Sequence, residues 1–439
     1  GTYSSPTRIS TLSNKMRVIT DTMPGCETAT VGVWIDAGSR FEDERTNGTA
    51  HFLEHMIFKG TGLRSQADIE LQVENMGGHL NAYTSREMTA FYARVLKKDT
   101  AKAVDLLGDM LLNSRLDEKA IDRERQVILR EYEEIEKQTE EVVFDHLHSV
   151  AFQGTSLGMT ILGSRENIQQ IKRSDLLHYI DVNYRGPRMV VSAAGGVDHE
   201  ELCAAVERAF KSVKADDPYR MSLHPAVYTG AEMRMRDDSM PIAHIAIAVQ
   251  GASWTSPDYF PLLVAQAIVG SWNRGLAGAS HTASPLAQAI AKQDLALSYA
   301  SFNTAYTDIG LFGIYLMSDK THDLDDLVYE VQQEWVRICL GATEEEVERA
   351  KQQLKSIVLM GLDGTQAVAE DMARQVLTLG RRYTWPELHA MIDAVTVGQV
   401  RQVASDYLYD RDPAVVGMGP IGTMPDYNRI RTATQWHRN

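Results

Sequence analysis

Apolar residues alternate with polar or small ones over residues 28–37, where Ala29, Val31, Val33, Ile35 and Ala37 fall on one side of an extended chain. That spacing predicts a strand. Shorter alternating runs predict strands near 79–84 and 89–96. Helical periodicity predicts short helices near 49–58 and 66–75, then longer amphipathic helices at about 100–113 and 118–137. The longest apolar run, near 260–270, contains Pro261 and Gln266 and falls short of the roughly 20 residues a bilayer span needs, so it predicts a buried helix and no transmembrane segment.

The second half of the chain replays this order. Asn81-Ala82-Tyr83-Thr84, then Phe91-Tyr92, a charged turn and an apolar-periodic helix are echoed by Asn303-Thr304-Ala305-Tyr306-Thr307, then Gly313-Ile314-Tyr315, a charged turn and a helix over 324–338. The strand at 29–37 has its counterpart at 242–250. A repeat of this kind predicts an α+β chain of two homologous α/β domains, each a mixed, mostly antiparallel sheet flanked by helices. The Pro- and charge-rich stretch 214–229 marks the junction, which gives domains 1–215 and 229–439 with a linker at 216–228. At 439 residues the chain is also longer than one hydrophobic core usually grows.

The formal charge of −15 changes the picture in one respect, because a phosphate backbone needs a basic footprint and this chain offers none. That argues against nucleic acid as a partner. Basic partners suit it, although a negative surface by itself does no more than keep a protein soluble. Cys26, Cys203 and Cys339 are odd in number and widely spaced, which fits neither a disulfide framework nor a zinc ribbon and points to a reducing compartment.

The run Asn47-Gly48-Thr49-Ala50-His51-Phe52-Leu53-Glu54-His55 up to Gly60 reads as a short helix, with Asn47 placed to cap it and Gly60 to supply a left-handed residue after its end. Residues four apart stand one above the other on a helix, so the imidazoles of His51 and His55 can reach one metal ion with Glu54 on the same face. This is the His-x-x-Glu-His spacing of inverted-motif zinc peptidases. Its chance occurrence somewhere in such a chain is on the order of a few per cent. A catalytic zinc site typically takes three protein ligands. The third is expected on the helix 118–137, where Glu124 and Glu131 share an inward face with Ile128 and Ile135. Spacing does not choose between the two carboxylates.

The segment Gly48 to Thr61, the Glu74-Asn75-Met76-Gly77-Gly78 turn, Asn81 to Thr84 and Val127-Ile128-Leu129-Arg130-Glu131 resemble the pitrilysin/insulinase family. Gly270-Ser271-Trp272, Ser301 to Asp308 and Gly419-Pro420-Ile421 carry the resemblance over nearly the whole chain. Within that family the motifs look most like the β-type subunits of presequence-processing peptidases.

The resemblance implies a metalloendopeptidase holding one Zn2+ per chain on His51, His55 and Glu131. Glu54 is then the catalytic base and Glu124 a supporting carboxylate. It also implies that Phe58 lines the site for the residue after the cut, that Asn81, Ala82 and Tyr83 pair with an extended substrate, and that Glu141 and Asp145 receive a basic residue before the cut. The implied partners are basic presequence peptides, an α-type subunit carrying a Gly-rich loop that this chain lacks, and, in lineages where one polypeptide does both jobs, other subunits of respiratory complex III. The implied location is the mitochondrial matrix, or the matrix face of the inner membrane. A core structural subunit of that complex and a stand-alone peptide-degrading peptidase are the alternatives. No His/Glu cluster recurs in the second half, so one half alone is expected to be catalytic. The stretch 292–299 offers no Arg of the kind some single-chain relatives bring to the site.

Overall fold

The computed structural model describes residues 7–220, 224–276 and 284–438; three residues of the expected linker, 221–223, lie outside the described residues. Two compact units emerge. The first comprises residues 1–134, 159–224 and 360–383, the second 135–158, 225–359 and 384–439. Neither is continuous in sequence.

The first unit is built on a six-stranded sheet of β1 (Thr7–Thr11), β2 (Arg17–Thr22), β3 (Thr28–Ile35), β4 (His79–Thr84), β5 (Thr89–Leu96) and β6 (Met189–Gly195). Its spatial order is β1-β2-β6-β3-β5-β4. Every pair is antiparallel except β2 with β6. The alternation read in β3 is real: Ala29, Val31, Val33 and Ile35 face a core shared with α1 (Thr49–Ile57), α2 (Gln66–Asn75), α3 (Thr100–Leu112) and α4 (Glu118–Glu136). From α1 the side chains of Phe52, Leu53, Met56 and Ile57 are fully buried there. Burial of such a side chain contributes about 1.5–3 kcal/mol, which fixes the roll of the helix and so the direction of its polar face.

The opposite face of this sheet is also covered. Ile19, Trp34, Ala90, Val190 and Ala194 pack against Val368, Ala369, Met372, Ala373 and Val376 of the helix Thr365–Leu379. That helix comes from far down the chain.

The second unit holds β7 (Glu232–Arg236), β8 (Ala243–Gly251), β9 (Ser271–Asn273), β10 (Ser298–Ala305), β11 (Gly310–Ser318) and β12 (Ala414–Gly419), in the order β7-β12-β8-β11-β10-β9. One face packs on helices that include Tyr259–Val269, the buried helix expected near 260–270, and Leu324–Gly341. The other is covered by α5 (Thr139–Ala151) through Val143, Leu147 and Val150. Here too the covering helix is remote in sequence from the strands it protects.

The repeat holds at the level of topology. The run β2-β6-β3-β5-β4 is matched strand for strand by β7-β12-β8-β11-β10, each starting with its parallel pair. One detail of the expected repeat is corrected. The two hairpins close on Thr84 with Thr89 and on Ala305 with Gly310, each across four residues, so Ala82 rather than Asn81 corresponds to Asn303. The Asn echo is out of register by one residue, which on a strand is a change of face. Among the described residues, no helix is long and apolar enough to cross a membrane.

Candidate metal centre

Helix α1 carries His51, Glu54 and His55, and the structure brings all three together: their ligand atoms lie within 4.8 Å of one another. The two imidazole rings meet edge to face with centroids 4.8 Å apart. Helix α4 crosses them with two carboxylates. Glu131 touches both histidines, Oε1 at 3.3 Å from His51 Nε2 and Oε2 at 3.0 Å from His55 Nε2. Glu124 instead reaches the back of His55, Oε2 lying 3.1 Å from Nδ1, while Lys59 Nζ is 3.0 Å from its Oε1. The two carboxylates thus differ in place: Glu131 contacts Nε2 of both rings, and Glu124 contacts Nδ1 of His55 from behind.

The donor set fits a divalent metal. Two imidazole nitrogens and a carboxylate, at bond lengths near 2.0–2.1 Å around a tetrahedral ion, stand about 3.3 Å from one another. The two Glu131 contacts, one through each carboxylate oxygen, are close to that spacing. Glu54 Oε2 is farther, 3.9 Å from His51 Nε2, and its Oε1 accepts a hydrogen bond from Thr84 Oγ1 at 3.2 Å.

Electrostatics agree with this division. Hydrogen bonds from His51 and His55 hold the Glu131 carboxyl far below the usual carboxylate range, against the opposing effect of burial. Burial would lower the His55 imidazole, but Glu131 and then Glu124 outweigh it and raise its pKa. Burial first, and then the charge of Glu54, hold the Tyr184 phenol above its ordinary value.

The start of α1 departs from expectation. Asn47 does not cap the helix; Gly48 is the N-cap residue, at φ 107°, and no side chain of its own caps the end. A Cβ on Gly48 would lie 2.6 Å from Leu162 O, so only glycine fits where the following loop crosses. The Asn47 amide donates to Thr160 O and to Glu42 Oε1. Glu42 takes over the capping, a buried acid whose carboxyl is pushed up to about 8 by burial despite the N–H groups it accepts. At the other end Gly60 takes the expected positive φ, 119°.

Phe58 is half-buried just past α1 and packs on the main core. Asn81, Ala82 and Tyr83 lie on β4, whose only strand neighbour is β5, so among the described residues its outer edge carries no paired strand. Thr84 at the end of that edge is the residue bonded to Glu54, which ties the open edge to the cluster. Glu141 and Asp145 stand one turn apart on α5, in the second unit. Lys59, Thr84 and Glu42 were given no role from sequence. Lys59 and Thr84 sit inside motif runs, but only the fold shows what they touch; Glu42 carries no local signal at all.

Removing the carboxylate behind His55 should loosen the metal without abolishing its site. Glu124→Ala is expected to weaken divalent-metal binding about 10–100-fold, measured by competition with a chelator, and unchanged affinity would show that Glu124 does not orient His55.

The family described as Insulinase (Peptidase family M16) matches residues 17–165, and the family described as Peptidase M16 inactive domain matches residues 170–354. The chain is 54% identical over 427 residues to the mitochondrial-processing peptidase subunit beta of Blastocladiella emersonii, covering 97% of this chain and 91% of that protein. It is 53% identical to the protein of that name from Lentinula edodes, with coverages of 97% and 92%, and 48% identical to that from Homo sapiens, with coverages of 99% and 88%. Among solved structures it is similar to a chain of Complex III2 from Candida albicans, Inz-5 bound, with a TM-score of 0.87, 29% identity, and coverage of 98% of this chain and 99% of that one.

Proposed function

The chain belongs to the insulinase family of M16 peptidases, and on that premise we propose that it is the β-type catalytic subunit of a zinc processing peptidase that removes basic presequences from proteins imported into the mitochondrial matrix. The observation that carries this reading is the meeting of His51, His55 and Glu131 beside Glu54, with Glu54 bonded to the end of an unpaired strand edge. In chain order the catalytic half is 1–215 and the non-catalytic half 229–439, except that 135–158 folds with the second unit and 360–383 with the first.

His51, His55 and Glu131 would hold one zinc ion. Bound there, zinc supplies Lewis acidity, bringing the acidity of water near neutrality and polarising the scissile carbonyl. Glu54 takes the proton of the attacking water and returns it to the amine nitrogen as the C–N bond breaks. The Thr84 hydroxyl occupies Oε1 of that carboxylate, which leaves Oε2 as the atom that carries the proton. Glu124, backed by Lys59, keeps the His55 ring turned with Nε2 toward the cluster. An extended substrate adds to the edge of β4 at Asn81, Ala82 and Tyr83, so main chain is read rather than sequence. Phe58 lines the site for the residue after the cut.

Glu141 and Asp145 accept a basic residue before the cut, and the −15 charge draws Arg-bearing peptides in from solution. Neutralising both, as Glu141→Gln with Asp145→Asn, is expected to raise KM for an Arg-bearing presequence peptide about tenfold or more, with little change for a peptide whose Arg is replaced. Equal KM values before and after would remove these two residues from substrate recognition. The α-type partner supplies the Gly-rich loop, so cleavage is expected to require it; full activity of the isolated chain would favour a stand-alone peptide-degrading peptidase instead.

A second reading, residence in respiratory complex III as a core subunit on the matrix face of the inner membrane, is favoured by the likeness to a chain of the Candida albicans complex. It is compatible with retained cleavage. Co-migration of the chain with cytochromes in native gels tests it.

A further inference from the structure

The two histidines of α1 are held in different ways. His55 has a carboxylate behind its ring, with Glu124 at 3.1 Å from Nδ1. His51 has none: its Nδ1 is buried without a hydrogen-bond partner. No hydrogen bond behind the ring steers His51, so its direction depends more on its backbone, at the third residue of a short helix whose N-terminus has no cap of its own.

Helix N-termini leave N–H groups that must find acceptors, most of all where the end is buried. Glu42 supplies them from outside the helix. Its Oε1 accepts the Gly48 N–H at 3.1 Å and the Asn47 amide at 3.2 Å, and its Oε2 accepts the Ala50 N–H at 2.6 Å. Ala50 is the residue immediately before His51. The Glu42 side chain is 6% exposed, so water does not replace it as an acceptor. Two oxygens on one rigid carboxyl thus span the first turn from Gly48 to Ala50.

We infer that Glu42 is a positioning residue for His51, holding the first turn of α1 so that Nε2 meets Glu131 Oε1 beside the His55 ring; the inference rests on the reading of that cluster as a metal site. Glutamine is the discriminating replacement. It has the same shape, yet whichever way its amide is turned it presents an NH2 group to an N–H donor it must face.

The test uses the full chain and compares Glu42→Gln and Glu42→Asp with the unmodified protein. Zinc affinity is measured by competition with a chromophoric chelator, and the visible bands of the cobalt(II)-loaded protein report the ligand geometry, with far-UV circular dichroism as the check on folding. Expected are a folded Glu42→Gln protein that binds zinc about 10–100-fold more weakly, the loss typical of disturbing a group that orients a ligand, and displaced cobalt bands. Zinc affinity and cobalt bands identical to those of the unmodified protein would overturn the inference. If the Gln variant does not fold, Glu42→Asp decides alone: one methylene shorter, it cannot span both N–H groups, so unaltered affinity in that variant overturns the inference as well. Failure of the unmodified protein to bind zinc would instead sink the metal-site reading.

Discussion

Replacing Glu54 by Gln is expected to leave zinc bound at its normal stoichiometry and to lower presequence cleavage by about 10²–10⁴-fold, the range associated with a positioned general base. The expectation comes from geometry. Glu54 lies 3.9 Å from His51 Nε2, beyond the 3.0–3.3 Å at which Glu131 meets the two rings, so on the proposed ligand set zinc is expected to stay bound without it. The Thr84 hydroxyl can still donate to the amide oxygen of the replacement side chain, so the fold around the site is preserved. What glutamine cannot do is take a proton from water. Near-normal turnover in Glu54→Gln would remove the residue from the chemistry, and loss of zinc would make it a ligand instead.

Glu131→Ala should have a larger consequence, because it takes away the group on which both imidazoles converge. With Glu131 gone, two histidines remain, one fewer than the three protein ligands a catalytic zinc site normally has. Zinc content is expected to fall well below one per chain, and cleavage should fall to background at ordinary zinc concentrations. The two carboxylates of α4 separate on the same grounds. Glu124→Ala keeps three ligands and loses only the brace behind His55, so its zinc should be recoverable by raising the free metal. If Glu124→Ala lost zinc outright while Glu131→Ala kept it, the assignments of the two residues would be exchanged.

The helix bearing the two histidines was legible because its signal is local: a period of 3.6, Gly60 after its end and an inward face of Phe52, Leu53, Met56 and Ile57; its start was not, because Gly48 rather than Asn47 is the N-cap. The strands were legible for a similar reason, since β3 has one face on the main core and shows the alternation plainly. The hidden features share a different property, which is that their partners are distant in sequence. Trp34 sits on the polar-looking side of the β3 alternation, yet it is fully buried beneath the helix Thr365–Leu379. The division into continuous halves reflected the repeat, and nothing in either half announces that α5 and that helix each cover a sheet remote from them in sequence. At the site itself, spacing brought Glu124 and Glu131 to one face of α4 but could not distribute them between Nδ1 and Nε2 of His55, which depends on where α4 crosses α1. Glu42 lies in a loop before the helix and looks from sequence like any surface acid. Its burial and its hold on Ala50 exist only in the folded chain.

The central claim is that this chain carries a working zinc centre for presequence cleavage. It is tested most directly by metal analysis of the purified chain together with cleavage of a basic presequence peptide, with and without an α-type partner. One zinc per chain and partner-dependent cleavage is the predicted result; absence of zinc with no cleavage under either condition would contradict it and leave a structural subunit that has kept the ligand residues.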